Sequence, residues 1–448
     1  MSVVCENSRG WVLDSRSLID QGYSHCIRSE DDRKSSVQCR FKEQCFRVLK
    51  SHICVAPSAC VDGGNTDTVH KAGKLPKKRK RRRSELNQGE IDSRTFHEKI
   101  RPAILEGTES LVESARSLGY LDGTTDAASE PLPSQECGLA ALSEMAKDLP
   151  LVEEREQRVQ QLPADDGRAA HFDLFSRVTE NGTDFAAVVP LLGDEYVIPP
   201  RSAFLLSDFS RLEPLVRCGR RFDLIVMDPP WENKSVKRKR GYSCLSSTQL
   251  KRLPVPTLAS PNCLVATWVT NRQSHLRFVR DELYPHWGVE VPAEWFWVKV
   301  TTSGQFVFPL DSNHKKPYEV LVLGRYRSST VESSSQRSAV PLEDRRLIVS
   351  IPSALHSQKP PLAEVLKPYV GTEAKRLELF ARSLQPGWTS WGNEVLKFQR
   401  TSYFHMTPTD DGGSIPEDEA ADGTAANSPA LSSPGESPPP CQRPTDVD

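Results

Sequence analysis

The chain has 448 residues, a formal net charge of −1 and 37% hydrophobic residues, with 58 Lys and Arg against 59 Asp and Glu. This length accommodates one large domain plus appendages, since a domain takes about 100–200 residues. The near-neutral charge excludes a uniformly basic protein, so any nucleic-acid surface must be local; no run reaches the ~18 apolar residues of a membrane span, and no secretory leader opens the sequence. A soluble intracellular protein with no membrane partner is expected.

Residues 1–70 form an N-terminal region whose fold the sequence leaves open. Short apolar runs such as Trp11-Val12-Leu13 are set among polar residues, without a sustained period. Six of the eleven cysteines fall here (Cys5, Cys26, Cys39, Cys45, Cys54, Cys60), and none forms a C-x-x-C pair. The expected state is reduced thiols and no metal; a zinc site using His25 or His52 is the alternative. A basic linker, 71–95, holds KKRKRRR, seven contiguous cations from Lys77 to Arg83. So dense a block repels itself and stays solvated. It reads as a handle for the nuclear import machinery, which predicts a nuclear protein with the cytoplasm as a second compartment; a plain spacer and a phosphate-gripping arm are the alternatives.

A helical accessory region spans 96–165. Ile100, Ile104, Leu111, Ala115 and Leu118 recur near helical spacing over 96–118, and a second helix is expected over 139–162. From 170 to 400 short apolar strands alternate with helices. Strands are expected at 204–206, 222–227, 263–269, 295–300, 319–323, 347–351 and 377–380, and helices at 247–253, 272–283 and 362–369. This is the pattern of a largely parallel α/β sheet covered on both faces. Residues 407–448 are rich in Pro, Ser, Gly and acid, and are expected to be a disordered tail.

The motif that carries chemistry is DPPW, Asp228-Pro229-Pro230-Trp231, at the carboxyl end of the 222–227 strand. Ligands of parallel sheets bind at strand carboxyl ends. Two prolines fix their own backbone angles and remove two donors, so the chain leaves the sheet in one rigid shape. The exocyclic amine of a nucleobase is a poor nucleophile, with its lone pair delocalised into the ring. An Asp carboxylate beside a proline carbonyl, free of competing donors, accepts both N–H protons, and Trp231 offers a stacking face. The tetrapeptide thus reads as a nucleobase-amine clamp; a turn beside a core aromatic is the structural alternative. Lys234, Lys237, Arg238, Lys239 and Arg240 follow, a basic loop placed for a nucleic-acid backbone or simply a solvated one.

FLLSDF, FDLIVMDPPW, GYSCLSSTQL, LVATWVTNR, EWFWVKV, KKPYEVLVLGRY, HSQKPPLAEVL, RLELFAR and GWTSWGNE occur in this order between residues 200 and 398. In this respect the chain resembles the MT-A70-type adenine-N6 methyltransferases. The resemblance implies a permuted Rossmann-like methyltransferase domain using S-adenosyl-L-methionine, which explains why no G-x-G-x-x-G is present. It implies that Asp228 and Pro229 touch cofactor and amine. Lys359, Glu378, Phe380, Arg382, Asn393 and Glu394 would hold the cofactor, with Phe204 and Asp208 flanking its adenine, and Tyr242, Trp297 and Lys299 would lie on the substrate side.

The messenger-RNA-methylating members carry a His-Asn pair after the arginine of ELF-x-R, where this chain has Ser383-Leu384, and an amide where it has Glu394. The closer subgroup implies RNA, at 2′-O-methyladenosine of small nuclear RNA. DNA adenine methylation and a non-catalytic nucleic-acid-binding partner are the alternatives.

Overall fold

The computed structural model describes residues 2–30, 33–49, 86–123, 131–134, 137–150, 159–162, 172–232, 244–312, 315–327 and 340–409. The run from Lys77 to Arg83, the basic loop from Lys234 to Arg240, Tyr242 and the chain beyond Thr409 lie outside them.

Seventeen strands are present among the described residues. The N-terminal ones are Val3–Asn7 (β1), Gly10–Leu13 (β2), Cys26–Glu30 (β3), Arg33–Phe41 (β4), Gln160–Leu162 (β5), Thr179–Asn181 (β6), Ala186–Leu191 (β7) and Asp194–Ile198 (β8). Then follow Ser202–Leu206 (β9), Phe222–Met227 (β10), Ala259–Val269 (β11), Val289–Lys299 (β12), Tyr318–Tyr326 (β13), Leu347–Ser350 (β14), Arg376–Leu379 (β15), Trp388–Gly392 (β16) and Phe404–Pro408 (β17). Twelve of them make one sheet, ordered β1-β2-β14-β12-β13-β11-β10-β15-β16-β9-β6-β5. Seven of its pairings are parallel and four antiparallel, so the expected α/β class and mostly parallel sheet are what the chain forms. The other five form a smaller sheet, β17-β4-β3-β7-β8, whose core buries Cys26, Cys39 and Cys45.

Burial on both faces explains why the central strands read as continuous apolar runs. Ile225 and Met227 of β10 join one core and Leu224 and Val226 the other, as the two-residue strand period requires, while Phe222 joins the first core because the register shifts between it and Leu224. The first core is covered by the helix Gln88–Ser117 through Ile100, Ile104, Leu111, Val112 and Ala115; the second by Val365, Leu366 and Tyr369 of Ala363–Val370.

The long helix starts eight residues before the apolar period suggests. Asn87 and Glu90 form a reciprocal capping box there, which satisfies its first donors. The expected helix at 139–162 is corrected. Among the described residues of that range, helix spans Leu139–Met145, a tight turn follows to Asp148, and Gln160–Leu162 is a strand. Pro150 accounts for the stop, because the residue before a proline is pushed out of the α region. Thr407 and Pro408, expected in the tail, belong to β17, which pairs with β4.

The strand order locates the site. On one side of β10 lie β11, β13, β12 and β14 in that spatial order, the chain passing from β11 to β12 and back to β13 before β14, and it then returns to β15 and β16 on the other side. The β10/β15 border is therefore a topological switch point, where a crevice opens at the carboxyl ends of the strands.

Candidate active site

Asp228 leaves β10 at this border. The peptide after it is fixed as expected, but its carbonyls are not free of donors: the Trp231 N–H donates to Pro229 O at 2.8 Å and the Leu245 N–H to Pro230 O at 3.2 Å. Since a carbonyl has two lone pairs, Pro229 O retains capacity for one further donor. Opposite, β15 is followed by Phe380 at φ 62°, a left-handed conformation that turns the chain away from the strand end. The Ala381 N–H then donates to Trp391 O at 2.9 Å, and a Cβ on Gly392 would lie 2.6 Å from Ala381 O. Only glycine allows β16 to approach so closely.

Between these ends runs a ladder of alternating charge. Lys299 pairs with Glu319; Glu319 Oε2 lies 3.2 Å from Lys359 Nζ, which donates to Asp228 Oδ2 at 2.9 Å. Arg382 Nη1 is 3.4 Å from the same Asp228 oxygen, its Nε is 3.3 Å from Glu394 Oε2, and Lys397 Nζ donates to Glu394 Oε1 at 2.9 Å. Four cations and three carboxylates leave one positive charge in excess.

Burial alone would discharge these groups, and their neighbours oppose it. Burial pulls the Lys359 ammonium down, but Asp228 and Glu319 outweigh it and hold its pKa above the ordinary value. Burial pushes Glu319 up, but Lys359 and Lys299 bring it to about 2. Glu378 lies outside the ladder. Burial raises it to about 7, opposed first by the Gln385 side chain, which donates to Glu378 Oε2 at 3.0 Å.

Two cavities meet at the ladder. The larger, about 1570 Å³, is lined by all four residues of DPPW, Asn271, Tyr318, Glu319 and one face of the long helix. The smaller, about 240 Å³, is lined by Glu378, Phe380, Gln385, Gln358 and Trp268, among others. Asp228, Ser357, Lys359 and Arg382 line both. Asp228 is thus a partition post with a cation on each side.

The expected site residues divide accordingly. Asp228, Lys359, Glu378, Phe380 and Arg382 come together around the smaller cavity, and Arg382 pairs with Asp228 and Glu394 rather than with Glu378. Phe204 is wholly buried, in one core cluster with Leu206, Ala381 and Leu384. Asp208 accepts the Ser210 N–H and O–H at 2.9 and 2.6 Å, and Asn393 O accepts the Ser143 hydroxyl at 3.2 Å. Phe204, Asp208, Asn393 and Glu394 line neither cavity.

Trp231 lines the larger cavity but is only 9% exposed. Its indole N–H donates to Trp268 O at 3.0 Å, and its ring stacks on His275 with centroids 4.9 Å apart. Trp297 is enclosed in the core, its N–H donating to Ser350 Oγ at 2.9 Å and Lys299 Nζ 4.3 Å above its ring. The remaining substrate-side residues, Lys234, Lys237, Arg238, Lys239, Arg240 and Tyr242, lie outside the described residues.

Glu319, Lys397, Gln385 and His275 were not singled out by the sequence. Glu319 was within reach of it: a carboxylate inside the apolar run of β13 is costly to bury unless paired.

The sequence pattern of the MT-A70 family matches residues 222–394. Over 469 aligned residues the chain is 45% identical to the N(6)-adenine-specific methyltransferase METTL4 of Homo sapiens, spanning 90% of this chain and 98% of that protein. It is 38% identical over 221 residues to the N6-methyladenosine RNA methyltransferase MTA1 of Pyricularia oryzae, 47% of this chain and 57% of that one. It is also 36% identical over 214 residues to a DNA N6-methyl methyltransferase of Caenorhabditis elegans, covering 47% and 56%.

Proposed function

Because this chain belongs to the MT-A70 family and is an N6-adenine methyltransferase, we propose that it methylates the N6 amine of adenine in RNA, at 2′-O-methyladenosine of small nuclear RNA, with S-adenosyl-L-methionine as methyl donor. The carrying observation is Asp228, which borders both cavities and is held by Lys359 and Arg382. The target adenine enters from the larger cavity, flipped or unpaired so that N6 reaches the carboxylate. Asp228 and the spare lone pair of Pro229 O accept the amine protons, and these preset acceptors favour the charge that develops on N6.

The donor set suits the cofactor. Lys359 and Arg382 would hold its carboxylate and Glu378 its ribose hydroxyls, and the buried Gln358 Oε1 beside the smaller cavity has no hydrogen-bond partner among the described residues. When bound, the cofactor supplies an electrophilic methyl group.

Relatives named for RNA and for DNA leave the polymer to experiment. Methyl transfer should be measured on matched RNA and DNA oligonucleotides, with and without a 2′-O-methyl group on the target. RNA is expected to be preferred, with the 2′-O-methyl strand fastest; faster transfer to DNA would overturn the assignment, since the 2′ position is what separates the polymers. The seven cations from Lys77 to Arg83 support a nuclear location. Replacing them with alanine should abolish nuclear accumulation of the tagged protein, and unchanged accumulation would refute the signal.

A further inference from the structure

The larger cavity is too big for a single nucleoside. Pockets for small ligands occupy about 300–1,000 Å³, against about 1570 Å³ here. Its far wall comes from outside the matched family region 222–394: Ser93, Arg94, His97 and Arg101 on the N-terminal half of Gln88–Ser117 face DPPW across the space. The first two turns of the helix carry no regular apolar stripe, and it is anchored to the core through Ile100 and its later turns.

The helix is locked to the chain segment that carries Lys315 and Lys316. Arg101 donates to both Asp311 carboxylate oxygens, at 2.7 and 2.9 Å. His97 Nε2 is 3.2 Å from Asp311 Oδ1 and its Nδ1 3.0 Å from the Tyr318 hydroxyl. Burial, its largest influence, lowers the His97 pKa, so the ring is neutral near pH 7. A carboxylate can only accept, so Nε2 carries the hydrogen and Nδ1 accepts from Tyr318. The result is a charge arrangement. Asp311 would repel an anion, but Arg101 neutralises it, and no carboxylate pairs with Lys315 or Lys316 among the described residues. Lys316 Nζ rests on Leu310 O at 3.2 Å, and Lys315 Nζ lies 5.2 Å from the Phe308 ring centroid.

We infer that the helix Gln88–Ser117 and the pair Lys315 and Lys316 form a polynucleotide wall, in which the lysines hold phosphates of the single strand flanking the target adenine. This rests on the adenine-methyltransferase reading and adds how the flanking strand is gripped. Two ammonium groups on one lip suit phosphodiesters, which Lys meets as a point charge.

The test is binding of the full chain to a fluorescent single-stranded RNA of about ten nucleotides across a salt series, within the site sizes known for such strands. The double variant Lys315→Ala/Lys316→Ala is expected to weaken binding about tenfold at low salt and to flatten the log K against log salt slope by about 0.7 for each phosphate no longer neutralised. Lys315→Arg/Lys316→Arg should recover both. Arg101→Ala should also weaken binding, and adding Asp311→Asn should restore it, because the loss is one of charge balance. A matched DNA strand should give the same slope change, since it carries the same phosphates. An unchanged slope in the alanine variant, or no recovery with arginine, overturns the inference. Methyl transfer to the same strand is measured separately. Strong, salt-dependent binding without transfer would sink the catalytic reading while leaving the wall standing.

Discussion

Asp228 and Trp231 stand at the two ends of one rigid tetrapeptide, yet their surroundings are opposite. Asp228 borders both cavities and is held by charges from two other segments, Lys359 and Arg382. Trp231 is held by packing: its N–H is spent on Trp268 O and one ring face on His275. The sequence presents the four residues as one clamp. Under the proposed function the acid is the chemical end; in the fold the indole is the anchor at the other end of the tetrapeptide, joined to it by two prolines.

The largest effect should come from removing the anchor. Trp231→Ala empties a site only 9% exposed and leaves Trp268 O without its donor, so a stability loss of about 3–5 kcal/mol is expected. Chemical denaturation would register it as a lower midpoint, and methyl transfer should fall with folding. Trp231→Phe, which keeps a ring against His275, should recover part of the stability. A Trp231→Ala protein that unfolds like the parent and loses only turnover would move the indole from scaffold to base-stacking surface.

Removing the acid should do the reverse. Asp228→Asn keeps the shape and one acceptor oxygen but leaves Lys359 and Arg382 with only Glu319 and Glu394 as carboxylate partners. Methyl transfer should drop at least about 100-fold, or ~2.7 kcal/mol of transition-state stabilisation, with a small change in melting temperature. Near-normal turnover would remove Asp228 from the chemistry. Glu319→Gln tests the ladder one rung further out. Without that charge Lys359 loses one of its two carboxylate partners, and a loss of about tenfold in kcat is expected, corresponding to ~1.4 kcal/mol.

The same contrast explains what could be read in advance. Strands β10, β11 and β13 were visible because burial on both faces gives each an unbroken apolar stretch, 224–227, 263–266 and 320–323. Strand β16 was not: Thr389 and Ser390 interrupt Trp388-Thr389-Ser390-Trp391-Gly392, although every residue in it is buried. The first two turns of the long helix were hidden for a related reason, because a helix face bordering a cleft carries no apolar period. At the site, DPPW, Lys359 and Arg382 stood out as motif residues. The ladder joining them did not, because Glu319 meets Lys299 and Lys359 only once β12, β13 and the segment after β14 are side by side. Local chemistry is written in runs of neighbours; ion pairs across strands are written in topology.

The last effect, confined to acid pH, tests the anchor through its partner. His275 lies half-buried under the Trp231 ring and pairs with Thr270 Oγ1 at 2.9 Å; burial, reinforced by Arg272, depresses its pKa from 6.5 to about 4. The folded ring stays neutral while an unfolded one takes up a proton below pH 6.5. Its contribution to stability is therefore complete above pH 6.5 and is lost as pH falls toward 4. The shift sets an upper bound at 1.36 kcal/mol per unit, and partial exposure reduces the expected loss to about 1–2 kcal/mol between pH 7 and 4.5. Comparing the parent with His275→Gln over that range isolates the term, because glutamine has no proton to gain. The variant should lose less stability on acidification, and the difference should track the environment of Trp231 by its fluorescence. Parallel pH curves for the two proteins would show that His275 titrates normally, and the indole would then lack the dry, neutral support that distinguishes it from Asp228.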